Sequence, residues 1–210
     1  MQDKTLYASL AMLVLLALIW SGVAPYDRAT WLLEVAPVLI AGPLLLWSYP
    51  RFPLTRLLYW VIAINSLILI LGGTYTYARV PAGFWVQDWF ELSRNPYDKL
   101  GHFIQGVTPA LLAREILLRL RIVAPGKMLG LLSLCVALAF SAFYELIEWW
   151  VALLAGQGAE DFLGTQGDPW DTQSDMFMAL LGALISVSWL SRAQDRQIAR
   201  LTRSTGVALP

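Results

Sequence analysis

Long apolar windows separated by short polar connectors form the main pattern of this sequence. Each window has roughly 20 residues, enough to cross about 30 Å of hydrocarbon as an α-helix. Pro25 and the connectors "YPRFP" and "APGK" lie between windows, and Pro and Gly end helices for steric reasons. The pattern predicts an all-α fold, a polytopic membrane helix bundle with six transmembrane helices. The windows lie near 6–24, 31–49, 55–73, 100–119, 128–155 and 175–191.

The composition agrees with this pattern. Of the 210 residues, 58% are hydrophobic and 14% are charged, and ten are Trp. A soluble domain with a solvated surface needs more charge than this, so the composition excludes that class. The first window follows Lys4 as a signal peptide would, but its length and Pro25 beside the poor cleavage site "SGVAP" favour a retained helix.

The basic residues are distributed unevenly between the two sides of this predicted bundle. With the N-terminus inside, eleven Lys and Arg residues fall on the inner side and four on the outer side. This bias predicts that both termini are cytoplasmic. The four outer residues are Arg28, Arg79, Arg94 and Lys99.

We divide the chain into a six-helix transmembrane domain, residues 1–192, and a basic cytoplasmic tail, residues 193–210. The tail "SRAQDRQIARLTR" is typical of a solvated segment at the membrane surface that helps to fix topology. We therefore expect membrane lipids as partners and no nucleic acid; protein partners cannot be predicted.

The longest outer loop, between the third and fourth windows, contains "AGFWVQDWFEL". Its Trp and Phe residues are interleaved with acidic ones, a pattern that predicts a short amphipathic helix lying at the headgroup level. Such an aromatic belt can serve as an anchor alone.

Two stretches share one pattern, "NPYDKLGHF" at 95–103 and "DPWDTQSDM" at 168–176. In each we predict that Asn95 or Asp168 is the N-cap of a helix and that Pro96 or Pro169 occupies its first position, where a missing N–H costs nothing. Capping does not account for the His or Asp that lies one turn deeper in each helix.

Three pairs of polar residues have helical spacing. Asp98 with His102 and Asp171 with Asp175 are four apart, and Glu145 with Glu148, in "YELIEWW", are three apart, so each pair shares one helix face. The predicted topology places all three pairs towards the outer side of the membrane. No basic residue adjoins the acidic residues of 168–176 in the sequence.

An ionised carboxylate deep in hydrocarbon costs about 2.5 to 3.5 kcal/mol, so these residues should face a polar interior. Like charges also repel, so the cluster must share protons, bind a cation or open to water. Three interpretations follow: a site for a divalent ion such as Mg²⁺, Mn²⁺, Zn²⁺ or Fe²⁺, a path for protons or cations through His102, or hydrogen-bonded carboxyls that only hold helices together.

At "YDKLGHFIQG", "YELIEWW" and "GTQGDPWDTQSDM" the chain resembles the YjdF-type family of bacterial inner-membrane proteins over nearly its whole length. More distantly, "DKLGHF" and the segment after Asp175 resemble the VanZ-like membrane proteins, a group associated with glycopeptide resistance and the cell envelope. The resemblance implies a multi-pass bundle in the bacterial cytoplasmic membrane and an envelope context. It implies no established reaction.

These observations lead to one functional hypothesis and two alternatives. The hypothesis is an outward-facing pocket that binds a divalent metal and acts on, or binds, a lipid or lipid-linked phosphate, with His102 as a ligand or the general base. The alternatives are a small proton- or cation-coupled transporter and a non-catalytic envelope scaffold. No Ser/His/Asp pattern and no Gly-rich phosphate loop is present, so enzyme status stays open. The candidate ligands are Asp98, Glu145, Glu148, Asp171 and Asp175, and the candidate phosphate contacts are Lys99 and Arg94.

Overall fold

The computed structural model describes residues 4–155 and 160–205 of the chain, and within them it contains helices and no β-strand. The prediction of an all-α fold is confirmed. A 3-10 helix, Tyr77–Arg79, follows the third of the α-helices. The α-helices are α1 (Lys4–Val23), α2 (Arg28–Ser48), α3 (Arg56–Tyr75), α4 (Pro81–Trp89), α5 (Tyr97–Arg119), α6 (Lys127–Ala155), α7 (Glu160–Leu163) and α8 (Asp171–Thr205).

Among the described residues, α1, α2, α3, α6 and α8 are long and apolar enough to cross a membrane. They correspond to five of the six predicted windows. The fourth window lies in α5, which has 23 residues but a lower mean hydropathy, because it carries several charged side chains. Those side chains are Asp98, Lys99, Arg114, Glu115 and Arg119.

Helix α5 is enclosed by its neighbours, since it packs against α3, α6 and α8. Its contact with α8 is close enough to require glycine. A Cβ at Gly106 would collide with the backbone carbonyl of Ala179, and a Cβ at Gly182 would collide with that of Phe103. Small residues allow helix backbones to approach in this way inside membranes. The polar side chains of α5 are therefore shielded from lipid.

The C-terminal end of α5 holds a polar cluster in which every group has a partner. Glu115 is fully buried, and its carboxylate accepts hydrogen bonds from the Thr55 N–H (2.9 Å), the Thr55 hydroxyl (2.7 Å) and Arg119 Nη1 (2.8 Å). Gln194 from α8 donates to the Leu111 carbonyl at 2.8 Å. These bonds join the start of α3 to α5 and α8.

The same contacts change the interpretation of the basic tail. Helix α8 continues without a break to Thr205, and Gln194 and Ile198 are fully buried. The Gln197 side chain accepts a hydrogen bond from the Leu57 N–H at 2.8 Å. Helix α8 therefore crosses the predicted boundary at 192/193, and within the predicted tail the side chains of Gln194 and Gln197 find partners on α5 and α3. Residues 206–210 lie outside the described residues.

The predicted short helix in the long outer loop is present as α4. Its aromatic side chains face outward, with Trp85 72% and Trp89 86% exposed. On the opposite face Gly83 lies against Asn95, whose amide a Cβ at Gly83 would strike. Asn95 also donates to the Val80 carbonyl at 3.0 Å. Helix α4 is thus fixed beside the first turn of α5.

Close packing of α5 on α8 predicts different effects for two chemically identical substitutions. Gly106→Ala should destabilise the protein by about 1–3 kcal/mol, because the added methyl meets backbone that cannot move aside. Gly42→Ala, in α2, meets nothing within 4 Å and should be neutral or slightly stabilising, because Ala favours helix more than Gly. Thermal unfolding of both variants in detergent measures the difference, and equal midpoints would contradict the described packing.

Candidate functional site

Tertiary structure supplies the basic residues that the sequence lacks near the α8 aspartates. Arg94 Nη1 lies 2.6 Å from Asp171 Oδ1, and Lys99 Nζ lies 3.0 Å from the same oxygen. Lys99 Nζ also lies 2.7 Å from Asp175 Oδ1 and 2.5 Å from Ser174 Oγ. The aspartates are therefore neutralised by residues about seventy positions earlier in the chain, which pack against them.

Arg94 lies in the connector before α5 and holds the start of α8. Its Nη2 pairs with Asp168 at 3.0 Å, and its Nη1 donates to the Thr165 carbonyl at 2.8 Å. Burial by itself lowers the pKa of the guanidinium, but the hydrogen bond and charge of Asp171 and the charge of Asp168 raise that pKa overall. Arg94 is consequently a fixed positive charge at this end of the bundle.

The two related stretches form similar turns before their helices. Asn95 Oδ1 accepts a hydrogen bond from the Tyr97 N–H at 3.0 Å, and Asp168 Oδ1 accepts one from the Trp170 N–H at 2.9 Å. Helix α5 begins at Tyr97 and α8 at Asp171, one and two residues later than the predicted first positions, Pro96 and Pro169. The reason is that the side chains of Asn95 and Asp168 each accept a hydrogen bond from the N–H two residues ahead. This bond closes a turn, and the helix begins after the turn.

A reciprocal amide pair fixes these two turns to each other. The Asn95 N–H donates to Gln166 Oε1 and Gln166 Nε2 donates to the Asn95 carbonyl, both at 3.0 Å. Gly164, with φ of +61°, approaches Asp98, since a Cβ there would lie 3.9 Å from Asp98 Oδ2. The segment before α8 therefore lies next to the buried Asp98 of α5.

His102 is the point at which the acidic residues converge. Its Nε2 lies 3.4 Å from Asp98 Oδ1 and 4.0 Å from Asp175 Oδ2, and its Nδ1 lies 3.8 Å from Glu145 Oε1. Two groups of three, Asp98/His102/Asp175 and His102/Glu145/Glu148, each bring one possible ligand atom per residue within 4.8 Å of the others. The imidazole belongs to both groups.

Two atoms facing each other in this cluster have no hydrogen-bond partner among the described residues. They are His102 Nδ1 and Glu145 Oε1, and their residues are only 4% and 7% exposed. Leaving a buried polar atom unpaired costs about 1–3 kcal/mol. The gap between them can therefore be stabilised by a cation, a water molecule or a shared proton.

The surroundings of the imidazole indicate which nitrogen carries its proton. Two carboxylates, those of Asp98 and Asp175, face Nε2, so a proton there interacts favourably with both. Nδ1 of the neutral ring then presents a lone pair towards Glu145. A carboxylate on one imidazole nitrogen commonly orients the other towards a metal.

The predicted site residues divide into two sets. Asp98, Glu145, Glu148 and Asp175 belong to the groups around His102. Asp171 belongs to neither group, and its Oδ1 is engaged by both basic residues. Those basic residues, predicted as phosphate contacts, are paired with carboxylates.

Two residues of the site were missed by the sequence analysis. Glu34, on α2, is 3% exposed and accepts a hydrogen bond from the Tyr144 hydroxyl at 3.3 Å. Glu34 also interacts electrostatically with Asp98 and His102, and the Tyr144 ring packs edge-on against the imidazole, with centroids 6.4 Å apart. Glu34 is the one acidic residue in the window 31–49, and that isolation was a usable signal.

The sequence matches known proteins over most of its length. A family model described as "Predicted membrane protein (DUF2238)" matches residues 6–196. This chain belongs to that family. "Inner membrane protein YjdF" of Escherichia coli (strain K12) is 60% identical over 196 residues, which cover 93% of this chain and 94% of that protein. No solved structure matches the chain.

These relatives and the apolar helices agree on location, so the chain is a multi-pass protein of the bacterial inner membrane. The resemblance to the YjdF-type family is confirmed. The more distant likeness to VanZ-like proteins stays a prediction.

Because Lys99 lies between two aspartates, we expect the stability of the protein to depend strongly on the charge of this side chain. Lys99→Met should destabilise the protein by about 3 kcal/mol, because it leaves the buried Asp175 carboxylate without its cation, whereas Asp171 keeps Arg94. Adding Asp175→Asn should recover much of this loss, because it removes the stranded charge. Thermal unfolding of both single variants and the double variant gives the coupling, and purely additive effects would contradict the ion pair.

Proposed function

We propose that this protein binds one divalent metal ion beside His102 and that the ion acts on, or binds, a lipid or lipid-linked phosphate at the outer face of the inner membrane. The observation that carries the proposal is the pair of buried, unpartnered acceptors, His102 Nδ1 and Glu145 Oε1, 3.8 Å apart. A bound cation would satisfy both atoms at once.

The ligand set would be His102, Glu145 and Glu148. One imidazole with two carboxylates suits Mn²⁺, Fe²⁺ or Zn²⁺, and Mg²⁺ would depend on the oxygens and water. Asp98 would act from the other side of the ring, where it orients the imidazole through Nε2. An ion held there could polarise a phosphoryl oxygen or lower the pKa of a bound water.

The group Asp98/His102/Asp175 would be the poorer site for an ion, because an ammonium already pairs with Asp175. Lys99 Nζ lies among oxygens of Asp171, Asp175 and Ser174 at 2.5 to 3.0 Å. This arrangement supports a stoichiometry of one metal ion per chain. Lys99 and Arg94 would contact a phosphate by giving up their aspartate partners for it.

The outward orientation belongs to the same proposal. We infer six transmembrane helices, with α5 as the fourth, and both termini in the cytoplasm. The distribution of eleven basic residues inside and four outside supports this orientation. Enclosure of α5 by α3, α6 and α8 supports its role as a span, because its charged side chains then avoid lipid.

Metal analysis tests the proposal directly. Detergent-purified protein, chelated and then supplied separately with Mn²⁺, Fe²⁺, Zn²⁺ or Mg²⁺, should retain about one equivalent of one of them. Glu145→Gln should lose it, because the variant removes a charged ligand and preserves shape. The matched control, Glu91→Gln, changes an exposed acid outside the cluster and should bind as the wild type does.

Absence of metal from the folded wild type would overturn the proposal. The shared-proton alternative would then be tested in proteoliposomes, where uptake that follows a cation or proton gradient would indicate a transporter. An unchanged phenotype after neutralising the acidic residues and His102 would indicate a scaffold.

The orienting role of Asp98 gives a graded prediction. Asp98→Asn should weaken metal binding by about 10- to 100-fold without abolishing it, because the ligand atoms remain while the imidazole loses its carboxylate. Asp88→Asn, on the exposed side of α4, provides the control. A titration that gives both variants the wild-type Kd would show that Asp98 does not act through His102.

A further inference from the structure

A groove lies between α2, α3 and α5, away from the His102 cluster. It encloses about 490 Å³, within the range of ligand pockets in proteins, about 300–1,000 Å³. Its walls are predominantly apolar, and helices α2 and α5 each pack against α3 on either side of it. The walls include Pro37, Ala41, Leu45, Ile62, Leu112 and Ile116.

The hydroxyl groups in the wall do not call for a polar ligand. Ser66 donates to the Ile62 carbonyl at 2.8 Å, and Thr108 donates to the Ile104 carbonyl at 3.0 Å. Both bonds lie within the residue's own helix. The side-chain amide oxygen of Asn65, Oδ1, has no hydrogen-bond partner among the described residues. Asn65 is therefore the position that distinguishes an apolar occupant from a hydrogen-bonding one.

One end of the groove is formed by the α2–α3 connector and carries positive charge. Trp47, Ser48 and Phe52 line this end, and the Arg51 guanidinium lies 5.8 Å from the centroid of the Trp47 ring. Arg51 and Arg56 are exposed and form no ion pair with the residues that the structure describes. The mouth is therefore complementary to an anion.

We propose that this groove binds one acyl chain of an anionic phospholipid, with the headgroup phosphate at Arg51. The apolar walls match a hydrocarbon chain, and the charge and Trp at the mouth match a phosphate at the membrane interface. The site is distinct from the proposed metal site and does not depend on it.

Lipid competition tests this inference. The protein is reconstituted in nanodiscs that contain equal amounts of phosphatidylglycerol and phosphatidylcholine, extracted into mild detergent and weighed by native mass spectrometry. The wild type should retain one phosphatidylglycerol in preference to phosphatidylcholine. Arg51→Gln should reduce that preference about fivefold, the effect of losing one basic contact near the surface.

Two variants of α2 separate groove binding from general lipid contact. Ala41→Phe places a ring in the groove and should abolish lipid retention. Leu46→Phe adds the same ring at a position that is 75% exposed and outside the groove, and it should retain lipid. Thermal unfolding without added lipid checks that both variants are folded. Equal retention by the two variants, or no preference for the anionic lipid, would overturn the proposal.

Asn65→Leu identifies the chemistry of the occupant. An acyl chain makes no hydrogen bond, so this variant should retain the lipid as well as the wild type does. Loss of retention in a folded Asn65→Leu protein would overturn the acyl-chain assignment and indicate an amphipathic molecule with a hydrogen-bond donor.

Discussion

Helix α5 must keep its charged side chains out of hydrocarbon, and most of the tertiary structure serves that constraint. Each ionised group exposed to the bilayer interior would cost about 2.5 to 3.5 kcal/mol. The helix avoids this by lying against α3, α6 and α8, with Gly106 and Gly182 allowing the α8 backbone to approach closely. The more apolar helices around α5 face the lipid instead.

The buried polar groups at the two ends of α5 differ in how completely they are paired. At the C-terminal end, both carboxylate oxygens of Glu115 accept hydrogen bonds, from Thr55 and Arg119, so the cluster is complete in itself and holds helices together. At the N-terminal end, Lys99 pairs with Asp171 and Asp175, but His102 Nδ1 and Glu145 Oε1 face each other without a hydrogen-bond partner among the described residues. This incompleteness, rather than the number of acids, distinguishes a candidate site from a structural polar cluster.

The pairing of Lys99 also determines what kind of site is left. With an ammonium at Asp175 Oδ1, the group His102/Glu145/Glu148 is the one that shares no residue with the Lys99 ion pairs. Tyr144, from α6, packs edge-on against the imidazole and donates a hydrogen bond to Glu34, from α2. The membrane context, given by the family and by the apolar helices, is the reason for proposing a lipid or lipid-linked phosphate as the partner of this site.

Local pattern was enough to predict the long helices, the starts of α5 and α8 to within two residues, and the helical spacing that brings Asp98 to His102. These features depend on hydropathy and on spacings of two to four residues, which can be read from a short stretch of sequence. Tertiary structure alone decided which charges meet. The partners of Asp171, the recruitment of Glu34 and the packing of Gln194 inside the bundle involve residues some 70 to 110 positions apart. Such pairings depend on how closely whole helices approach one another, and no local periodicity encodes that distance.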